Sequence, residues 1–218
     1  MMSTFELIKE VGPLLLRGAI LTVELTFCAM ILALVVGLFL GLGRISKNKL
    51  IYTAVTGYIE VIRGTPLLVQ LFIIYYALPD YGIYLTPFLA GTFGLGLCYA
   101  AYIAEIYRAG IQAIPKGQTE AALSLGMRKR KAMRRIILPQ AVKIILPPIT
   151  NNFISMLKDS SLCSVITVIE LMRQAQIYVA STFRTMEVYL MVAIIYFAMA
   201  YPLSIFVSRL ELRLKAND

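Results

Sequence analysis

Residues 14–42 read LLLRGAILTVELTFCAMILALVVGLFLGL, with Arg17 and Glu24 as the only charged side chains. About 20 apolar residues in a helix cross the ~30 Å hydrocarbon layer of a bilayer. This stretch is therefore read as a membrane-spanning helix. It is too long for the ~7–15-residue apolar core of a cleavable signal peptide, and acidic Glu6 and Glu10 precede it rather than basic residues. Four more apolar stretches follow, at about 51–78, 83–107, from Ala141 onward with an interruption at 158–161, and 186–207. The composition agrees. Of 218 residues, 59% are hydrophobic and 15% charged, against about 45–50% and about 25% in soluble domains. The mean hydropathy is +0.78. A soluble globular domain and a disordered chain are both excluded. The expected fold is all-α, a polytopic membrane protein with five transmembrane helices in one domain over residues 1–218.

The net charge of +9 is unevenly placed. Arg44, Lys47 and Lys49 lie between the first two spans. Nine basic residues from Arg108 to Lys143 lie between spans three and four, and Arg209, Arg213 and Lys215 follow span five. Loops on the other side carry Glu6, Glu10, Asp80 and Glu187. By the positive-inside rule the N-terminus is outside and the C-terminus cytoplasmic. The topology accounts for the basic charge, so no nucleic-acid partner is expected.

Several chemistries are missing. The chain has no histidine, and Cys28, Cys98 and Cys163 are scattered through apolar stretches, reading as small buried hydrophobes rather than a disulfide or metal set. No Gly-Lys dipeptide occurs, so there is no phosphate-binding loop of the G-x-x-x-x-G-K-[ST] type. Neither H-E-x-x-H nor G-x-S-x-G is present. The expectation is a transport component rather than an enzyme, with no metal and no cofactor of its own. Gly37 and Gly41 in span one, and Gly96, Ala100 and Ala104 in span three, form small-residue rows suited to close helix contact. Packing inside one bundle is favoured over a dimer seam.

The loop at about 109–140 carries the most information. Pro115 and Gly117 break the preceding helix. Residues 118–125 suit a short helix, with Gly126 as its left-handed cap. A second helix fits 128–138, ended by Pro139. Two turns are marginal in water, so the short helix must dock on something. Either it packs on its own protein, or Ala121, Ala122 and Leu125 enter a groove on a cytoplasmic partner.

Within this loop, Glu120-Ala121-Ala122, Gly126, Ile136 and Leu138-Pro139 match the EAA signature of membrane subunits of bacterial ABC importers. The segments 63–70 (RGTPLLVQ), 109–112 (AGIQ), 114–118 (IPKGQ) and 157–162 (LKDSSL) resemble the polar-amino-acid branch of that family. The resemblance runs from about residue 14 to 210. It implies a fold similar to the methionine importer's membrane subunit, in the bacterial inner membrane. It also implies a second permease subunit in a homodimer or heterodimer, two ABC ATPase subunits that bind the ATP, and an extracytoplasmic amino-acid-binding protein. The EAA helix would be the coupling helix seated in a cleft of the ATPase, with Glu120 paired to a basic residue there and Gly126 permitting the turn.

Ionisable residues in apolar runs cost at least about 2.5–3.5 kcal/mol each at the bilayer centre if they face lipid. Glu60 and Arg63, three apart, could pair. Glu24 and Glu105 read as structural or interfacial. Arg63-Gly64-Thr65-Pro66 interrupts span two, and Lys158-Asp159-Ser160-Ser161 interrupts span four. Broken spans point to a substrate site near the midplane. An amino acid presents a carboxylate and an ammonium. Arg63, Thr65 and the free N–H groups at Leu67 and beyond suit the first; Asp159, with Ser160 and Ser161 beside it, suits the second. Gln70, one turn further on, can reach polar atoms of the substrate. The competing account of Asp159 is a structural bridge to Arg63. Two other functions stay open: a stand-alone secondary transporter, for which no inverted repeat is visible, and a membrane subunit that does not itself contact substrate.

Overall fold

The computed structural model describes residues 4–215, and every regular element in them is helical. Helix α1 spans Thr4–Arg44. Helix α2, Lys49–Gly64, is capped by the Asn48 side chain accepting from Leu50 N–H. Helix α3, Leu67–Phe72, continues through a π turn, Ile73–Ala77, and a 3-10 turn, Leu78–Tyr81. Helix α4 is Pro87–Gln112 and α5 is Lys116–Ser124. Helix α6, Lys129–Ala132, runs through a second π turn, Met133–Ile137, into α7, Leu138–Asp159. A 3-10 segment, Ser160–Ile166, precedes α8, Leu171–Thr182, and α9, Thr185–Lys215.

Both π turns have one cause in the sequence. Each ends two residues before a proline, Pro79 or Pro139. A proline has no N–H to donate, and its ring displaces the carbonyl four residues back. Widening the turn absorbs both effects: Leu78 N–H reaches Ile73 O and Leu138 N–H reaches Met133 O. Pro139 therefore does not end the second loop helix as expected, and that helix flows into α7.

Helix α1 starts well before residue 14. Its first turns bury Leu7, Val11 and Leu15 against Leu171 and Ala175 of α8 and Val188 and Val192 of α9. Further along, α1 lies against α4, and the small residues decide how closely. A Cβ at Gly37 would stand 2.9 Å from Ile103 Cγ2 and 3.0 Å from Ala100 O; at Gly41 it would stand 3.1 Å from Ala104 O. A Cβ at Gly96 would meet Leu32 of α1 at 2.6 Å. The glycine rows therefore pack α1 on α4 within one chain. The core around them joins Leu25 and Ala33 of α1, Leu71 of α3, Ile103 of α4, Met156 of α7 and Ile166.

At the α1–α2 turn, Arg44 Nε donates to Glu105 Oε1 at 2.9 Å and its Nη1 to Thr56 Oγ1 at 2.6 Å. Arg108 holds the other oxygen of Glu105 at 2.7 Å. Glu105 is thus a structural clasp between α1 and α4. Glu170 is a second one. It is fully buried, caps α8 through the N–H groups of Met172 and Arg173, and accepts from Tyr196 of α9 at 3.0 Å and Thr22 of α1 at 3.5 Å. Glu24 is exposed on α1. So is Cys28, contrary to expectation, while Cys98 and Cys163 are buried.

Among the described residues, α1, α4 and α9 are long and apolar enough to cross a membrane, and the bent α2–α3 pair makes a fourth candidate. Helix α7 is not among them: it carries Lys143, Asn151, Asn152, Lys158 and Asp159. The tail beyond residue 215, with Asn217, lies outside the described residues.

Replacing Gly37 by leucine should drive α1 off α4. Overpacking of this kind costs about 1–3 kcal/mol, and the thermal midpoint of the purified subunit should fall. Gly57→Leu, where a Cβ meets nothing within 4 Å, should leave it unchanged. Equal midpoints for the two variants would show that the α1–α4 contact is not limiting.

Candidate functional site

The site begins at the break between α2 and α3. Thr65 (φ −116°, ψ 143°) and Pro66 (φ −61°, ψ 135°) are extended. Pro66 removes a donor and disfavours helical dihedrals in the residue before it. The axes of the two flanking segments turn by 104°. Such a bend strands carbonyls that a continuous helix would pair. Gln70 answers this: its Nε2 donates to Ile62 O at 2.8 Å, Thr65 O at 3.2 Å and Thr65 Oγ1 at 3.0 Å, while Thr65 Oγ1 donates to Val61 O at 2.9 Å. Gln70 is buried and splints the bend. A Cβ at Gly64 would meet nothing within 4 Å, so packing does not require glycine there.

The bend forms one wall of a cavity of about 520 Å³, inside the ~300–1,000 Å³ range of small-molecule sites. Arg63, Thr65, Pro66 and Leu67 come from the bend, Cys98, Tyr99 and Tyr102 from α4, and Asn152, Ser155 and Asp159 from α7. Asp159, the last residue of α7, accepts from Tyr99 Oη through Oδ2 at 2.7 Å. The Arg63 guanidinium stands over the Tyr102 ring, 5.2 Å from its centroid, a cation–π arrangement. Arg63 and Asp159 therefore share the cavity without forming an ion pair to each other. Nor does Arg63 pair with Glu60, as i,i+3 spacing had led us to expect. Asn152 donates to Pro148 O at 2.9 Å, which leaves its Oδ1 free to accept.

Arg63, Tyr102 and Asn152 also line a second cavity of about 540 Å³ that runs along α4 past Glu105 and Arg108 to Ala113. The first cavity thus opens along α4 toward the 109–140 loop. The polar contents change along the way, from a carboxylate with one hydroxyl donor at Asp159 to a carboxylate held by two guanidinium groups at Glu105.

Of the residues picked from sequence, Arg63, Thr65, Leu67 and Asp159 come together at this cavity. Gln70 does not line it and serves the bend. Ser160 is fully buried with its hydroxyl on Leu157 O at 2.7 Å, and Ser161 also lies off the wall. Lys158 points to the exterior. Tyr99, Tyr102, Asn152 and Ser155 were missed. For the last two a signal existed: Asn152, Ser155 and Asp159 lie at i, i+3 and i+7, a polar stripe along one face of the helix.

In the loop, α5 ends in a Schellman turn. Gly126 has φ +77°, its N–H reaches Leu123 O, and Met127 N–H reaches Ala122 O, the paired bonds of that motif. Ala122 is 1% exposed and packs on its own chain, which corrects the expectation that it enters a partner's groove. Glu120, Ala121 and Leu125 are exposed, Leu125 by 80%.

Residues 33–216 match the family described as binding-protein-dependent transport system inner membrane components. The L-cystine transport system permease TcyB of Bacillus subtilis is 40% identical over 203 residues, covering 93% of this chain and 87% of its own. The arginine transport system permease ArtQ of the same organism is 38% identical over 207 residues, covering 94% of each. A crystal structure of an amino acid ABC transporter with histidines superposes with a TM-score of 0.92 at 46% identity, covering 98% of this chain and 99% of that one. The MetNI methionine ABC transporter shares the fold, with a TM-score of 0.76 at 22% identity over 92% of this chain and 96% of that one. The chain belongs to the family of binding-protein-dependent transport system inner membrane components.

Proposed function

We propose that this chain is the membrane subunit of an ATP-driven importer for a polar or basic amino acid, and that it forms the translocation path. One observation carries the reading: an arginine and an aspartate face one cavity at two helix breaks, and neither is neutralised by the other. The pair matches a zwitterion. Arg63, with Thr65 and the first turn after Pro66 beside it, receives the α-carboxylate. The free Oδ1 of Asp159 receives the α-ammonium or a cationic side chain, while Tyr99 holds Oδ2 in place. Relatives named for cystine, glutamine and arginine support amino acids as the substrate class.

In this reading residues 1–218 form a single permease unit of five spans, with α7 crossing as the fourth and its polar stripe turned to the cavity. The N-terminus is outside and the C-terminus cytoplasmic, in the bacterial inner membrane. A second permease subunit, ABC ATPase subunits and an extracytoplasmic amino-acid-binding protein complete the assembly. ATP binds the ATPase subunits. Helix α5 couples to them through Glu120, Ala121 and Leu125, while Ala122 anchors it to its own chain and Gly126 turns the chain back.

Three experiments test this. Asp159→Asn keeps size and hydrogen bonding but removes the charge. A charge-assisted hydrogen bond is worth roughly 1.5–3 kcal/mol, so transport and binding of labelled amino acid should fall at least about tenfold with the thermal midpoint unchanged. Wild-type transport kinetics in this variant would remove Asp159 from the site. For coupling, Gly126→Pro cannot adopt φ +77°, and Glu120→Arg reverses the charge offered to the ATPase. Both should leave substrate binding intact and abolish its stimulation of ATP hydrolysis; full stimulation in both would place the contact elsewhere. For topology, a cysteine at Asn217, in the tail beyond the last apolar stretch and in a background lacking the native cysteines, should resist an impermeant thiol reagent in intact cells. Labelling from outside would reverse the orientation.

A further inference from the structure

Arg128, Arg130, Lys131, Arg134 and Arg135 alone line a cavity of about 650 Å³ at the start of the α6–α7 rod. The neighbouring Lys129 lies outside it, and Ala132 is buried on the opposite side. None of the five makes an ion pair or a side-chain hydrogen bond with another described residue. No acidic residue occurs in the sequence between Glu120 and Asp159. Five like charges around one concavity repel one another, and the chain itself supplies no counter-charge there. The site therefore calls for an anion. Four of the five are arginines, whose planar forks bind phosphate oxygens in pairs.

The rod beyond the cluster says where that anion comes from. Leu138, Val142 and Leu146 are all exposed, Val142 by 52%. Their i, i+4, i+8 spacing makes one apolar stripe. At 1.5 Å per residue, Val142 stands about 10 Å along the axis from Arg135. A helix that passes within that distance from an unneutralised basic concavity to an exposed apolar stripe matches the step from headgroup to hydrocarbon.

We propose that this cluster is a binding site for the phosphate of anionic lipid headgroups in the cytoplasmic leaflet. A zwitterionic headgroup would bring its own ammonium into a cavity already carrying five positive charges, so the site selects lipids with net negative charge. It rests on the cytoplasmic placement proposed above, but not on the substrate cavity. The alternative occupant is an acidic surface of an ATPase subunit.

The test uses the complete complex in nanodiscs of phosphatidylcholine alone or mixed with phosphatidylglycerol, with and without R130Q/K131Q/R134Q. Native mass spectrometry reads the lipid retained, with no substrate present. Wild type should keep phosphatidylglycerol in preference to phosphatidylcholine. The triple variant should lose that preference by about tenfold or more while retaining its ATPase subunits. If the membrane subunit of the triple variant does not fold or insert, R134Q alone carries the test with a smaller fall in the same direction. Equal retention by variant and wild type would overturn the proposal. So would loss of the ATPase subunits from the variant in both lipids, which would assign the cluster to the protein interface. Inorganic phosphate added to wild type in neutral nanodiscs should not displace or replace the lipid effect; if it does, the ligand is a soluble anion. The Asn217 cysteine reports orientation independently, so a failed orientation and a failed lipid site give different results.

Discussion

At the α2–α3 bend the backbone gives up helical hydrogen bonds, and the Gln70 amide takes up Ile62 O and Thr65 O instead. Each buried carbonyl left open would cost about 1–3 kcal/mol, and more in hydrocarbon. The 104° turn is therefore held by one side chain as well as by Pro66. The cavity depends on it. The turn brings Arg63 and Leu67 to the same wall, and Leu71, one residue after Gln70, fills the groove at Gly94 of α4. A straight α2–α3 helix would line these residues, spaced i, i+4 and i+8, along one convex face, with no concave wall between them.

The two carboxylates along α4 show how position decides role. Glu105 sits where α1, α2 and α4 meet and is gripped by Arg44 and Arg108. It has no capacity left for a passing ligand, and its connections fix the bundle end. Asp159 sits at a helix terminus with a single tyrosine donor. Tyrosine supplies a hydrogen bond without a counter-charge, so the negative charge stays available. The same chemical group is a clasp in one place and stands outside any ion pair in the other because only Glu105 is matched by cations of its own chain.

The legible part of the sequence was the part with long-range pattern. Apolar length foretold α1, α4 and α9, and Gly64-Thr65-Pro66 foretold the bend, because proline acts through its own backbone. What stayed hidden depended on the direction a side chain takes. Gln70 beside a break reads equally as a ligand or a splint until the bend angle is known. In Ala121-Ala122 nothing in composition says which methyl turns inward, and it is Ala122. Pro139 read as a stop because a π turn upstream, not visible as a residue type, lets the helix absorb a proline. Nothing in the sequence singles out Tyr99 and Tyr102, since aromatic residues at helical spacing in an apolar span carry no mark of a cavity.

The loop and the cavity are joined by two stiff elements. Helix α4 carries Tyr99 and Tyr102 and ends at Gln112, just before α5. Helix α7 starts at Leu138, after the second π turn, and ends at Asp159. At 1.5 Å per residue, α7 alone spans roughly 33 Å. The Tyr99–Asp159 hydrogen bond ties the two rods together at the cavity, as Ile145 against Gly110 does near the loop. Packed helices do not compress, so a displacement of α5 reaches the cavity only as sliding or rotation of α4 against α7. At the loop end that motion must first unseat Ile145 from the groove left by Gly110, which has no side chain to resist it. At the cavity end it acts directly on the bond that orients Asp159. A push on the exposed face of α5 would therefore reach the bond that orients Asp159, the one carboxylate lining the cavity.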